Sequence, residues 1–426
     1  MKKIAQSLVR LSLSKTARNT YSVTFGNGVS AFLAFVFTVI IARILSLDDL
    51  GYFSALMSFI LLTTDVAELG IGTSLARFLP PLEKDKNTLQ RFYITAFLAQ
   101  VCVSTVLLAV IFVSAPHLAS IVFRRTDFAF LIQLTGIAIV GSIMSNFYLY
   151  TLLARQRFGY ATAYMISTGL IRLVFLFIII IFFSPTLTNF VYLQMGSLII
   201  GAVIGQLICG FEFLRFAPNW KDLKKLVSFS KFLGAARSLT AIAGKLDVLL
   251  LVSLAGPAEA GIYAIAAKII AIYPLLSGSF SSVIAPRLSS INQYFELKKF
   301  VWKVIMGTLF FISTIFFMIA ISDPFIRIFF PNIVPAIPVF RLLLVAMIFF
   351  VGSVPSVSIA VYYLKKPWIL TVNSVFQVAI VWFGNVLLIP ILGRFAPAYV
   401  SIAAFGLTWF TTSVLSLIYL KKHHAA

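Results

Sequence analysis

Seven ionisable residues lie inside long apolar stretches of the sequence, where charged side chains are rare. They are three acids and four bases: Asp65, Glu68, Asp247, Arg172, Arg237, Lys245 and Lys268. A charge at the centre of a bilayer costs at least ~2.5–3.5 kcal/mol on insertion scales, so it normally faces a partner or a water-filled cavity. These seven side chains are therefore the candidate functional residues, and they predict a water-filled passage between the helices that carry them.

The spacing of these residues predicts which of them share a helix face. Asp65 and Glu68 are three residues apart, so both carboxylates lie on one face of a helix. They either contact cations or protons of the passage, or they form a structural ion pair between helices. Arg237 and Lys245 are eight residues apart and share one flank, whereas Asp247 points elsewhere. The four bases together predict a cavity with a net positive charge. The alternative is that the three acids form ion pairs with the bases and neutralise this charge.

The composition excludes a soluble protein. Of 426 residues, 61% are hydrophobic and 11% are charged, and the mean hydropathy is +1.03. Soluble domains carry about 25% charged residues, so we predict an all-α polytopic membrane protein with about twelve transmembrane helices. The net charge of +21 does not indicate nucleic acid, because the charges lie between apolar runs. The sequence contains no recognisable catalytic nucleophile, phosphate-binding loop or metal-ligand cluster, so we expect neither an enzyme nor a metal site.

An internal duplication divides the chain. Sliding the sequence back by 210 positions without a gap places Gly261 on Gly51 and the stretch 257–265 on 47–55; both stretches have an acidic turn followed by Gly and an aromatic residue. We predict an N-terminal lobe of helices 1–6 (1–214), an amphipathic connector (215–231) and a C-terminal lobe of helices 7–12 (232–426). Six spans per lobe make the two lobes parallel repeats. Two such lobes around a central cavity suit alternating access and suit an ion channel poorly.

The distribution of Lys and Arg predicts orientation. Most of the 34 basic residues lie at the N-terminus and in alternate loops, whereas the opposite loops hold Arg43, Arg124, Arg125, Arg327 and Arg394. Because positively charged loops remain in the cytoplasm, we expect both termini on the cytoplasmic side. The same bias accounts for most of the net charge.

Three segments resemble a known family. They run through 41–52, 68–78 and 245–268, and include Leu50-Gly51-Tyr52, Glu68-Leu69-Gly70 and Gly261-Ile262-Tyr263. They are similar to the polysaccharide-exporter branch of the multidrug/oligosaccharidyl-lipid/polysaccharide flippase superfamily, the Wzx-type flippases of O-antigen and other lipid-linked oligosaccharides. The length, the twelve expected spans and the duplication agree with that family over essentially the whole chain.

The resemblance implies a flippase that moves undecaprenyl-diphosphate-linked oligosaccharides, such as O-antigen units for lipopolysaccharide, from the inner to the outer leaflet of a bacterial inner membrane. The substrate residues are then expected to be Arg237, Lys245, Arg172, Lys268 and Asp247. Arg offers a bidentate fork and Lys a point charge to the diphosphate. Asn146, Tyr148 and Tyr150 are candidates for contacts with sugar hydroxyls.

The expected partners are the lipid-linked glycan, the bilayer, and a polysaccharide polymerase with its assembly proteins. No cofactor is expected beyond H⁺ or Na⁺ as a coupling ion, for which Asp65 and Glu68 are the candidates. Three alternatives remain: a multidrug or organic-cation antiporter of the same superfamily, a flippase of the peptidoglycan lipid precursor, and a membrane glycosyltransferase suggested by Asp48-Asp49.

Overall fold

The computed structural model describes residues 15–291 and 293–425, and this part of the chain is almost entirely helical, without strands. The helices are α1 Lys15–Ile44, α2 Leu47–Ala67, α3 Ile71–Leu82, α4 Lys86–Val122, α5 Ala129–Ala154, α6 Phe158–Phe182, α7 Leu187–Cys209, α8 Trp220–Leu254, α9 Pro257–Ile270, α10 Ile272–Ser290, α11 Tyr294–Ala320, α12 Ser322–Phe329, α13 Ile337–Gly352, α14 Val354–Ser358, α15 Trp368–Leu392 and α16 Ala396–Ala425. Short 3₁₀ segments connect several of them, and a π-helical turn, Ile359–Tyr363, follows α14.

Ten stretches of the described chain are long and apolar enough to cross a membrane. The last of them, Trp368–Lys421, contains both α15 and α16. Helix α8 is not among the ten, since Arg237, Lys245 and Asp247 lie in its apolar part. The prediction of an all-α polytopic membrane protein is confirmed, whereas the count of twelve spans remains a prediction.

The chain forms two compact units. The first comprises Met1–Thr38 and Phe59–Ser238, and the second comprises Val39–Ser58 and Leu239–Ala426. Helices α1, α2 and α8 therefore each contribute to both units. The connector expected at 215–231 and the seventh span share one helix, α8. The lobe boundaries at 214 and 232 and the orientation of the termini remain predictions, and the N-terminal Lys2, Lys3 and Arg10 lie outside the described residues.

The apolar stretch 52–79 is interrupted rather than forming one continuous helix. Helix α2 ends at Ala67 and α3 begins at Ile71. Between them Leu69 has a φ of 49° and Gly70 a φ of 74°. This left-handed conformation ends a right-handed helix, and glycine adopts it without the steric cost of a Cβ. The break therefore places an ionisable residue, Glu68, at the junction of two helices.

The predicted duplication appears as a reciprocal contact in the second unit. Gly51 and Gly261 are each the fifth residue of their helix, α2 and α9. A Cβ on Gly51 would overlap the carbonyl oxygen of Pro257, and a Cβ on Gly261 would lie 2.7 Å from the carbonyl oxygen of Leu47. Since 47 and 257 are themselves related by the offset of 210, each repeat presents the same patch to the other, as at a two-fold interface.

Replacing either glycine of this crossing should destabilise the second unit. Gly51→Ala and Gly261→Ala insert a methyl group against backbone that cannot move aside, an overpacking that typically costs about 1–3 kcal/mol. The measurement is the melting temperature of the purified protein in detergent, which should fall for both variants. Gly278→Ala is the matched control on a helix of the same unit, since a Cβ added at Gly278 would have no atom within 4 Å. Equal melting temperatures for all three variants would contradict the close approach.

Candidate functional site

The break between α2 and α3 positions the Glu68 carboxylate. Its Oε1 accepts a hydrogen bond of 3.2 Å from the backbone N–H of Gly72, in the first turn of α3. A helix N-terminus favours negative charge because its first N–H groups have no partner within the helix. Gln100 donates its Nε2 to the Ala67 carbonyl, at 3.1 Å, on the other side of the break. The interrupted backbone is thereby satisfied within the membrane segment.

Arg237 of α8 forms an ion pair with Glu68 in the first unit. Its Nη1 lies 2.6 Å from Oε1 and 2.8 Å from Oε2. Glu68 is 8% exposed, whereas the Arg237 side chain is 44% exposed. One end of the pair is therefore buried and the other is accessible.

Two glycines allow α8 to approach the break closely enough for this pair. A Cβ on Gly234 would lie 2.6 Å from the carbonyl of Leu69, and a Cβ on Gly70 would lie 2.9 Å from the nitrogen of Gly234. Gly234 precedes Arg237 by three residues, so both lie on the same side of α8. The guanidinium carbon also lies 5.7 Å from the Tyr150 ring centroid, within cation–π range. The ion pair is thus fixed by backbone packing and an aromatic ring.

A small cavity lies beside the Glu68 carboxylate. Its volume is about 10 Å³, which is about what one water molecule requires. Thr64, Gln100, Asn146 and Tyr150 contribute to its wall together with Glu68. The carboxylate therefore has room for one water beside it.

Arg172 lies at a second and larger cavity of the first unit. This cavity has a volume of about 260 Å³, is partly open, and is lined by residues of α1, α5, α6 and α7. Its polar wall consists of Ser30, Ser142, Ser145, Asn146, Tyr164, Thr168, Arg172 and Ser197. The guanidinium carbon lies 5.3 Å from the Phe37 ring centroid. Among the described residues Arg172 has no acidic partner, so its charge is directed to a polar cavity without a counter-ion.

The remaining predicted residues belong to the second unit. Asp247 accepts hydrogen bonds from the Tyr263 hydroxyl and from the backbone N–H of Val248, and it has no basic partner in the described part of the chain. Lys268 is exposed, with its Nζ 5.9 Å from the Phe53 ring centroid. Lys245 is half-buried on α8.

The structure brings together two of the predicted residues within the first unit, since Glu68 and Arg237 form a pair, one of the alternatives that the sequence left open. Arg172 lines a separate cavity of the same unit, and Asp247 accepts a hydrogen bond from a hydroxyl of the second unit. The roles of all seven residues remain predictions.

The serines of the Arg172 cavity were not among the residues predicted from the sequence. Ser142, Ser145 and Asn146 follow the i, i+3, i+4 spacing of one helix face. That spacing is a usable signal, but it does not show which helices complete the cavity.

Comparison with known proteins gives a family and a fold. Residues 16–292 match the family described as polysaccharide biosynthesis protein. A search of the curated proteins found no match. The solved structures of similar fold include the lipid II flippase MurJ in an inward closed conformation, with 14% sequence identity, a TM-score of 0.72, and coverage of 92% of this chain and 86% of that chain.

Two further structures are of multidrug resistance MATE family transporters of the MOP superfamily. The inward-facing conformation has 13% identity and a TM-score of 0.68, covering 98% of this chain and 99% of that chain. The outward-facing conformation has 12% identity and a TM-score of 0.67, covering 97% and 98%. These similarities show the fold.

The ten long apolar stretches and the helical fold define a multi-pass membrane protein, and its fold is similar to those of a solved flippase and of solved transporters. The chain belongs to the polysaccharide biosynthesis protein family, since the match covers more than half of its residues. The family resemblance found in the sequence is thereby confirmed.

Removing one member of the Glu68–Arg237 pair should destabilise the first unit more than removing both. Glu68→Gln leaves Arg237 without its counter-ion, and Arg237→Gln leaves a buried carboxylate. Contacting residues of this kind show coupling of about 0.5–3 kcal/mol in double-mutant cycles. The melting temperatures of both single variants and the double variant in detergent measure it. Additive effects in the double variant would show that the pair contributes no coupling.

Proposed function

We propose that the protein is a flippase for undecaprenyl-diphosphate-linked oligosaccharides of the O-antigen type, working by alternating access in a bacterial inner membrane with cytoplasmic termini. Family membership supports a role in polysaccharide biosynthesis, and the shared fold with a lipid II flippase supports movement of a lipid-linked glycan. The polymerase and assembly proteins of surface-polysaccharide synthesis are its proposed partners.

One observation carries the proposal: Arg172, which has no acidic partner in the described chain, lies at a hydroxyl-lined cavity inside the membrane helices. An uncompensated arginine favours an anionic cargo and disfavours an organic cation. Arginine binds phosphate with charge-assisted hydrogen bonds, which are about twice as strong as neutral ones. The proposed role of the cavity is to replace the water that the anionic head loses on entering the membrane, while the polyprenyl tail stays in lipid.

The Glu68–Arg237 pair adds a proposed exchange step. The exposed end of Arg237 allows a diphosphate to compete with the Glu68 carboxylate for the guanidinium. A proton or Na⁺ on Glu68 would release the arginine for this exchange, and the water-sized cavity gives the ion a place beside the carboxylate. Asp65 lies one helical turn earlier on the same face and would share this coupling role.

Lys245, Lys268 and Asp247 are proposed to act in the second unit. The two lysines add positive charge for the passing diphosphate. The Tyr263 hydroxyl donates a hydrogen bond to Asp247 and would orient this carboxylate within the second unit.

A peptidoglycan lipid-precursor flippase is the second candidate. It is favoured by the TM-score of 0.72 to the lipid II flippase MurJ, and its cargo carries the same polyprenyl diphosphate. Both candidate functions require Arg172 to bind an anion, because both cargoes carry a polyprenyl diphosphate. The two cargoes differ in the glycan.

A reconstituted transport assay tests the proposal. Proteoliposomes containing an undecaprenyl-diphosphate oligosaccharide should transfer it between leaflets, measured by access of an external lectin. Arg172→Gln should slow transfer about tenfold or more, since hydrogen bonds to charged groups contribute about 1.5–3 kcal/mol. Arg327→Gln is the control, because Arg327 is exposed and pairs with Asp323 one turn away on α12.

Two results would contradict this function. One is transfer by Arg172→Gln at the wild-type rate. The other is transport of an organic cation such as ethidium without transfer of the glycan lipid. Replacing the oligosaccharide with the peptidoglycan precursor in the same vesicles separates the two candidates.

A further inference from the structure

The cavity at Arg172 presents hydrogen-bonding groups that the described protein does not use. Arg172, Asn146 and Ser142 all line it, and among the described residues none of the three has a hydrogen bond to another. Ser142 is buried, and Asn146 and Arg172 are half-buried, so their free polar groups face the open space of the cavity. A polar group without a partner inside a membrane costs several kcal/mol. A guanidinium, an amide and a hydroxyl around one space therefore point to a polar ligand.

Arg172 cannot readily reach water at a membrane surface. It lies ten residues before the end of α6 at Phe182 and fourteen after its start at Phe158. At about 1.5 Å of rise per residue, the nearer helix end is about 15 Å away, which is too far for snorkelling. The contact with Phe37 further holds the side chain within the unit. The positive charge is therefore a fixed feature of the cavity.

The other hydroxyls of the wall are oriented by backbone carbonyls. Ser30 donates to Met165 at 3.0 Å, and Ser145 donates to Leu198 at 3.2 Å. Tyr164 donates to the Gly201 carbonyl at 2.9 Å. A hydroxyl that donates its proton to the protein retains its lone pairs as acceptors. The cavity wall thus offers hydrogen-bond acceptors on Ser30, Ser145 and Tyr164. It offers donors on Arg172, Asn146 and Ser142.

This combination distinguishes a sugar from a simple anion. Inorganic phosphate at neutral pH presents mainly acceptors with one or two hydroxyl donors, whereas a pyranose carries several hydroxyls that both donate and accept. The cavity volume of about 260 Å³ approaches the lower end of small-molecule pockets, about 300 Å³. Apolar wall residues, among them Leu33, Leu149 and Met165, give the C–H faces of a sugar ring a surface to contact.

We propose that this cavity is a binding site for one anionic pyranose, a sugar that carries a phosphate or a carboxylate. Arg172 binds the anionic group, and Ser142 and Asn146 bind ring hydroxyls. The inference deepens the proposed function and rests on it, because the sugar would be part of the lipid-linked cargo. The anionic sugar is either the unit bonded to the diphosphate or an acidic sugar of the repeat.

Titration of purified wild-type protein in detergent, followed by saturation-transfer NMR and calorimetry, tests this site. The ligands are glucose 1-phosphate, glucuronate, glucose and inorganic phosphate. At least one of the two anionic sugars should bind about tenfold more tightly than both glucose and phosphate. Preference for glucose 1-phosphate indicates the diphosphate-linked unit, and preference for glucuronate indicates an acidic sugar of the repeat.

Variants separate the charge from the hydroxyl contacts. Arg172→Gln should weaken binding of the anionic sugar about tenfold, which corresponds to about 1.4 kcal/mol. Arg172→Lys keeps the charge without the bidentate fork and should give an intermediate affinity. This variant also tests the site if Arg172→Gln does not fold. Ser142→Ala should weaken binding by a smaller factor, and Arg327→Gln should have no effect.

Three outcomes overturn the inference. The first is equal affinity for phosphate and glucose 1-phosphate when glucuronate does not bind, and the second is no binding of either anionic sugar. The third is unchanged binding in both Arg172→Gln and Arg172→Lys. Because binding is measured without transport, its failure is distinguishable from failure of the proposed function. Transfer of the glycan lipid without sugar binding would contradict only the proposed sugar site. Sugar binding without transfer would contradict only the proposed flippase function.

Discussion

Every charge and backbone polar group inside the hydrocarbon layer needs a partner within the protein or a polar cavity, and this constraint governs the structure. The break between α2 and α3 would expose backbone groups to lipid without compensation. Gln100 satisfies one side of the break, and the Glu68 carboxylate satisfies the other through Gly72. The acid then requires a base, which Arg237 supplies. A single interruption of one helix therefore accounts for the position of a buried carboxylate and of the accessible arginine that pairs with it.

Close backbone approach makes these arrangements possible. Gly70 and Gly234 bring α8 against the break, and Gly51 and Gly261 bring the two repeats together at equivalent positions. Without hydrophobic stabilisation between helices in lipid, small residues gain packing and allow weak Cα–H contacts to carbonyls. Glycine is required at these positions by space, and at Gly70 also by its positive φ.

The charges of the first unit are compensated unequally. Arg237 has an acidic partner and remains accessible, whereas Arg172 faces a polar cavity with no acidic partner in the described chain. The paired arginine suits exchange between protein and cargo, and the unpaired one suits retention of an anion. This difference supports the proposed anionic cargo for a member of the polysaccharide biosynthesis protein family.

The sequence by itself determined the membrane class, the family and the duplication, and it identified the charged residues inside the apolar stretches, because hydropathy and repeat offset are properties of the chain alone. The tertiary structure decided which charges meet. Glu68 and Arg237 are 169 residues apart, and a spacing rule links only residues on one helix. The break at Leu69-Gly70 and the cavity formed by four helices likewise depend on packing between distant segments, so no local pattern could specify them.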